Sequence, residues 1–481
     1  MPESAVEKGG IAPSAPQQDM LLGAIVISPE TRAISGYGGR ALLEPRMMQV
    51  LTCLAERPNR LVTRAELIAR CWHGRPIGDD SLNRAIAGIR RAVRQSIGEA
   101  LQIETIAGAG YTLKVLSGGD FNADAVANSL VRDAVAEGWR SWRLGLPEPD
   151  RAALERLRRA VLAEPRHPEA RAILALLLRH AAEHAEANEL GHYVEECRGT
   201  ADAALALDPN NNVARSALVS LPPLFGDWLK RRSQLTALLV DRPDCGPALH
   251  DLAILEMATG RPSAAVPLIE ELLEREPLAA IFHYKRVYHL WTLERLSEMD
   301  RVADRAMQLW PRHPAIWFAR FWTLAFTGRP DQAMEQLTDD AMRPAIPPAA
   351  LAPLERTLAA VKEPHSEQAR KAAIKANLQA GERGPAQSVA AIIHLGGLGA
   401  VDEAFEVAEA YLTRHGLRSV SLRKTATDPS VTDQHRRVTQ MLFIPSAQAL
   451  RASARFDRLC EDIGLAAYWQ QTELMPDYRR W

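Results

Sequence analysis

The chain has 481 residues, 47% hydrophobic and 24% charged, with a formal net charge of −1. That is the balance of a helix-rich globular protein, and its length exceeds what one core of about 250–300 residues fills, so two or more domains are expected. No run approaches the ~18 apolar residues of a membrane span, the most apolar being AILALLL at 172–178, and no membrane contact is expected.

The five cysteines (Cys53, Cys71, Cys197, Cys245, Cys460) have no C-x-x-C spacing, which argues against a disulfide framework or structural zinc and for a reducing cytoplasm. Residues 1–19 lack an apolar run after a basic start and read as a disordered arm rather than a signal peptide. A first domain is expected over 20–116, opening with short strands (LLGAIVIS, RAIS, RALL). Glu44-Pro45 starts a helix in which Met47, Met48, Val50, Leu51 and Leu54 are apolar, and Arg57-Pro58-Asn59 closes it. Thr63, with Glu66 at capping-box spacing, opens a second helix whose Leu67, Ile68 and Trp72 face inward.

Asp79, Asp80 and Ser81 then carry oxygens suited to a first helical turn. In the third helix Leu82, Ile86, Ile89 and Val93 recur as a buried stripe. Arg84 and Arg91 lie opposite it, with Asn83, Ala87 and Arg94 on one flank and Gly88 on the other. Guanidinium groups beside very small residues let a helix backbone approach another surface, and Arg in a DNA major groove reads guanine edges or holds phosphates. IETIAGAGYTLKV gives two alternating strands turned through Gly108 and Gly110, a hairpin wing. Residues 20–116 hold 13 Lys+Arg against 8 Asp+Glu, about +5, while 117–481 come to about −4, as a nucleic-acid face at one end would require.

Taken in this order, the pieces from Leu21 to Val115 (EPRMMQVLTCLAERPNRLVTRAELIARCW, DDSLNRAIAGIRRAV, IETIAGAGYTL) resemble the OmpR/PhoB-type winged-helix regulators. The resemblance implies a second helix bracing the recognition helix over 79–95. It also implies phosphate contacts near Thr63, Trp72, Ser81 and Arg90, and base contacts from Arg84, Ala87 and Gly88. Asn83, Arg91 and Arg94 complete the DNA-facing set, with Thr105 and Lys114 as wing candidates for backbone contact. The chain departs from many members at Ala87 and Gly88, where they carry basic residues, and at Ala107, where they place an Arg before the first hairpin Gly. Dimerisation on tandem half-sites is expected of the family. With about 20 residues ahead of the domain, no receiver domain is expected there, nor a membrane helix after it.

Residues 117–122 read as a linker and 123–455 as helical repeats. Pro209, Pro243, Pro277 and Pro311 stand 34 apart, with Gly226, Gly260 and Gly328 at mid-repeat turns and Glu294 in the remaining slot. A 34-residue period with that punctuation is the tetratricopeptide pattern, whose helix pairs stack into a superhelix with a concave face. The clearest units are 246–279, 280–313 and 314–345, in which Ala253, Ala265, Ala303, Ala306 and Ala333 suit close crossings. MRPAIPPAALAP reads as a break, and Ala391–Leu412 as one more degenerate unit. The aromatic-rich end (Phe443, Phe456, Tyr468, Trp469, Tyr478, Trp481) resembles the closing segment of regulators that join this winged helix to such repeats, and is expected to cap the last repeat over 456–481.

His180-Ala181-Ala182-Glu183-His184 matches H-x-x-E-H, but a zinc hydrolase needs a third ligand and a cleft, and charged residues in a repeat helix ordinarily mark its solvated face. GGLGA at Gly396 lacks the preceding strand of a dinucleotide loop, and His283, His289 and His313 read as packing or surface residues. The expectation is a mainly α chain: an N-terminal winged helix-turn-helix followed by an all-α tetratricopeptide-like superhelix. It is expected to act as a cytoplasmic transcriptional regulator of double-stranded DNA, not an enzyme, with no cofactor or metal. The repeats would bind a protein or small ligand, with RNA polymerase or another regulator as further partner. The alternative is a repeat scaffold whose winged helix no longer binds DNA.

Overall fold

A computed structural model describes residues 19–22, 25–36, 39–72, 79–96, 101–106, 108–115, 123–146, 150–185, 187–221, 226–413 and 438–479. The arm, the 117–122 linker and Ala107 lie outside the described residues. The chain divides into two compact units, Met1–Leu130 and Val131–Trp481.

In the first unit LLGAIVIS is not one strand but two, β1 (Met20–Leu22) and β2 (Ile25–Ser28), paired antiparallel and followed by β3 (Ala33–Gly36) and β4 (Gly39–Leu42). Then come α1 (Pro45–Ala55), β5 (Leu61–Thr63), α2 (Arg64–Trp72), α3 (Asp79–Ser96), β6 (Leu101–Ile106) and β7 (Gly110–Val115). The second sheet runs β5-β7-β6. Thr63 Oγ1 accepts the Glu66 N–H at 3.2 Å, so α2 is capped as its sequence suggests, while the Glu66 carboxylate pairs with Arg57. Leu82, Ile86, Ile89 and Val93 are buried and seat α3 on α1 and the sheets. Gly110 lies where β5 passes closest, since a Cβ there would stand 2.1 Å from the Val62 carbonyl oxygen.

The second unit is helical throughout its regular elements among the described residues. Its helices are α4 (Ala123–Leu144), α5 (Arg151–Ala163), α6 (Pro168–His184), α7 (Ala187–Leu207), α8 (Asn212–Ser220), α9 (Trp228–Asp241), α10 (Gly246–Ala258), α11 (Pro262–Arg275), α12 (Ala280–Thr292), α13 (Leu296–Leu309), α14 (Pro314–Phe326), α15 (Pro330–Thr338), α16 (Pro348–Lys362), α17 (Glu367–Gly381), α18 (Pro385–Gly397) and α19 (Val401–Leu412). The first helices of successive pairs begin at Asn212, Gly246, Ala280, Pro314 and Pro348, one every 34 residues. The expected break at Met342–Pro353 is thereby corrected: Pro348 starts α16 in register and Pro353 lies inside it, leaving only 339–347 irregular. Gly226, Gly260, Glu294 and Gly328 all have positive φ (92°, 80°, 57° and 79°), so each repeat turns through a left-handed residue. Glu294 does so with a side chain, which a glycine would not need to accommodate.

The end of the unit does more than cap the last repeat. Residues 438–479, containing α20 (Gln448–Arg451), α21 (Ala454–Asp462) and α22 (Leu465–Thr472), link the α18–α19 pair to the much earlier α9–α11. On the late side the Tyr411 hydroxyl accepts the Val438 N–H at 3.0 Å, and Arg455 pairs with Glu409 at 2.9 Å. On the early side the Trp228 indole donates to the Ile463 carbonyl and Trp469 to the Thr259 carbonyl, each at 2.9 Å. Asp477 accepts the Ser263 N–H at 2.8 Å and its hydroxyl at 2.9 Å, capping α11, whose own N-cap Arg261 makes no side-chain cap bond. At the Gly260 turn a Cβ would lie 2.7 Å from Phe443, so the turn glycine also admits this segment. The end of α4 folds inward as well: Trp142 packs edge-on to Phe282 and His250, and His313 donates to the Leu144 carbonyl at 2.7 Å.

Candidate nucleic-acid interface

The outer face of α3 presents Ser81, Asn83, Arg84, Ala87, Arg91 and Arg94 to solvent. No hydrogen bond or ion pair from the described residues engages Arg84, Arg91 or Arg94. Elsewhere in this unit Arg57 pairs with Glu66, Arg70 with Glu56 and Lys114 with Glu104. Charges left unpaired on one helical face form a local positive field for an outside anion.

Asn83 is held in place. Its Oδ1 accepts the Tyr111 hydroxyl at 2.8 Å and Arg64 Nη2 at 3.2 Å, while Arg64 Nη1 donates to the Tyr111 oxygen at 2.7 Å. This triad ties the start of α2, the first turns of α3 and strand β7 into one rigid corner. Sequence reasoning missed Arg64 and Tyr111, which adjoin the recognised Thr63 and hairpin glycine. It also missed Arg46, whose guanidinium carbon lies 5.1 Å from the Trp72 ring centroid.

Three expectations need correction. Gly88 faces α1 rather than an outside surface, because a Cβ there would stand 2.3 Å from Met47 Cε; its small size serves a helix crossing. Arg90 is turned to the wing, donating from Nε and Nη2 to the Ile103 carbonyl at 3.0 and 2.7 Å and from Nη2 to Thr105 Oγ1 at 2.8 Å, so it positions β6 and engages Thr105. Lys114 pairs with Glu104 at 2.8 Å across the hairpin and is not a lone wing cation. Thr63 is exposed but its hydroxyl oxygen is occupied as the α2 cap. Trp72 is half-buried against the core.

In the second unit His180, Glu183 and His184 line a cavity, contrary to their reading as a solvated face. Their potential ligand atoms lie within 4.8 Å of one another. His180 Nε2 donates to the Leu146 carbonyl at 2.7 Å, and the Glu183 carboxylate is taken by Arg179 at 2.8 Å. The adjoining guanidinium opposes a dication here.

The fold and the basic helix face together define a winged-helix protein with tetratricopeptide-like repeats. Residues 38–113 match the family described as transcriptional regulatory protein, C terminal, an OmpR/PhoB-type domain. Among solved structures, the chain is similar to the DNA-binding domain of E. coli CadC, at 25% identity over 21% of this chain and 96% of that one, with a TM-score of 0.20. It is also similar to a tetratricopeptide repeat protein from Parabacteroides merdae, at 17% identity over 52% of this chain and 92% of that one, TM-score 0.32. A third likeness is to Naa15/Naa10 bound to HypK-THB, at 12% identity over 70% and 58%, TM-score 0.23. No curated protein matches. Among the described residues no helix is long and apolar enough to cross a membrane.

Proposed function

We propose that the chain is a cytoplasmic transcriptional regulator that binds promoter DNA through α3, with its repeat unit taking a ligand or protein partner that sets DNA affinity or contact with RNA polymerase. Arg84 and Arg91, with Ala87 between them, face the base edges; Arg94, Ser81 and Asn83 hold phosphates, and Trp72 with Arg46 flanks the backbone. The protein binds tandem half-sites as a homodimer. The observation that carries this reading is the set of three exposed guanidinium groups on one face of α3, none of them ion-paired among the described residues. Small Ala87 allows the helix axis to approach the groove floor.

The test is a salt titration of full-length protein on genomic DNA fragments, with Arg84→Ala and Arg91→Ala in parallel. Affinity is expected to fall steeply with salt, and each substitution to weaken binding by about 1–3 kcal/mol. No binding by wild type at low salt would refute the proposal.

A further inference from the structure

The second unit contains a cleft-like cavity of about 670 Å³, within the range of small-molecule sites. It lies where the inward-folded end of α4 and residues 438–440 meet the inner helices of the repeats, and its two ends differ in chemistry. Helices α6 and α12 supply Arg179, Glu183, His184, Tyr284 and Lys285, whereas α14 and α16 with the segment between them supply Phe318, Trp322, Ile346 and Leu354. Tyr288, 6.1 Å from Trp322 between ring centroids, joins the two ends.

The polar end has an excess of positive charge. Buried Arg179 lies 2.8 Å from Glu183 and 3.4 Å from Asp251, so one guanidinium engages both carboxylates. Asp251 also receives the Ser220 hydroxyl and lies 3.3 Å from His250. With Arg231 and Lys285 the cluster has three cations against two carboxylates, one positive charge in excess. Arg231 is buried behind this cluster with Nη2 lacking any hydrogen-bond partner. Lys285 has no paired carboxylate among the described residues; its ammonium lies 5.1 Å from the Tyr284 ring centroid and borders the cavity. His180 and His250 add no charge at neutral pH, burial holding both below their usual range. A buried cation without a counter-ion is costly in the folded protein unless an anion arrives to pair it.

We propose that this cavity binds a small amphipathic carboxylate, its head against the Lys285 ammonium and its apolar body among Phe318, Trp322, Ile346 and Leu354. The inference rests on, and deepens, the reading of the repeat unit as a ligand sensor. A metal at His180, Glu183 and His184 is disfavoured by the same charges, since Arg179 already holds the Glu183 carboxylate and Lys285 stands nearby.

The test is calorimetric titration of the full chain with 2-naphthoate, the uncharged 2-naphthalenemethanol and zinc chloride, without DNA, so that its failure leaves the promoter-binding proposal standing. Naphthoate is expected to bind at one site per chain, with the alcohol weaker by about tenfold or more, as loss of a charge-assisted contact implies. Lys285→Met should reproduce that loss, while Lys285→Arg, which keeps the charge, should restore most of the affinity. Equal binding of acid and alcohol, undiminished binding by Lys285→Met, or zinc binding abolished by His184→Ala with no naphthoate binding would each overturn the proposal.

Discussion

Replacing Lys285 with Met tests how much the unpaired cation costs the fold. The ammonium stands among Arg179, Glu183, Asp251 and His184, and burial lowers its pKa from 10.5 to about 8. A lowered lysine pKa means that the folded state resists the charged form, so the cost is fully present below about pH 8 and disappears above the unfolded value of 10.5. That shift corresponds to about 3 kcal/mol. Lys285→Met keeps most of the side-chain volume and removes the charge, so it should stabilise the protein by about 3 kcal/mol at pH 7 and by roughly half as much at pH 9.5. Urea unfolding followed by tryptophan fluorescence, run on both proteins at each pH, reads the difference. The other titrating groups are shared and largely cancel. A variant no more stable than wild type at pH 7, or a gap that fails to narrow by pH 9.5, would refute the reasoning.

Arg90→Ala removes three donated bonds that hold β6, and should lower the stability of the first unit by about 1–3 kcal/mol. Arg84→Ala should leave thermal stability unchanged while weakening DNA binding, so melting curves and salt titrations together separate the two roles. Glu294→Gly relieves a left-handed side-chain residue at a repeat turn and should raise the unfolding free energy by about 1 kcal/mol in urea titrations. Asp477→Ala uncaps α11 at a cost of about 1–2 kcal/mol and should speed limited proteolysis within 438–479, which gel electrophoresis would show.

Local periodicity carried much of the architecture. The spacing of the prolines located the repeats, and the slot filled by Glu294 proved to have the same left-handed turn as its glycine counterparts. The stripe from Leu82 to Val93 likewise marked the buried side of α3. Fates set by tertiary neighbours were not legible. Arg90 and Arg91 are adjacent in sequence, yet about 100° of helical rotation turns one to the wing and the other to solvent. Gly88 looked suited to any close approach, and only the course of α1 shows that Met47 fills the space. Helix periodicity separates a packed side from a polar one, but does not say whether the polar side of α6 meets bulk water or an internal cavity. The aromatic end is expected on its sequence neighbours, whereas the bonds from Trp469 to Thr259 and from Trp228 to Ile463 span 210 and 235 residues.

The bridge made by 438–479 changes the topology of the array. An open solenoid can gain or lose a repeat and remain soluble, because each unit touches only its neighbours. Here the bridge joins helices a fixed number of repeats apart, so inserting or deleting one 34-residue unit would pull Trp469 and Asp477 away from Thr259 and Ser263. Repeat number is therefore locked by geometry. The closing contacts are also the most distant in sequence, so on the ribosome this unit forms its early helix pairs first and completes its interior only after nearly all of it has emerged.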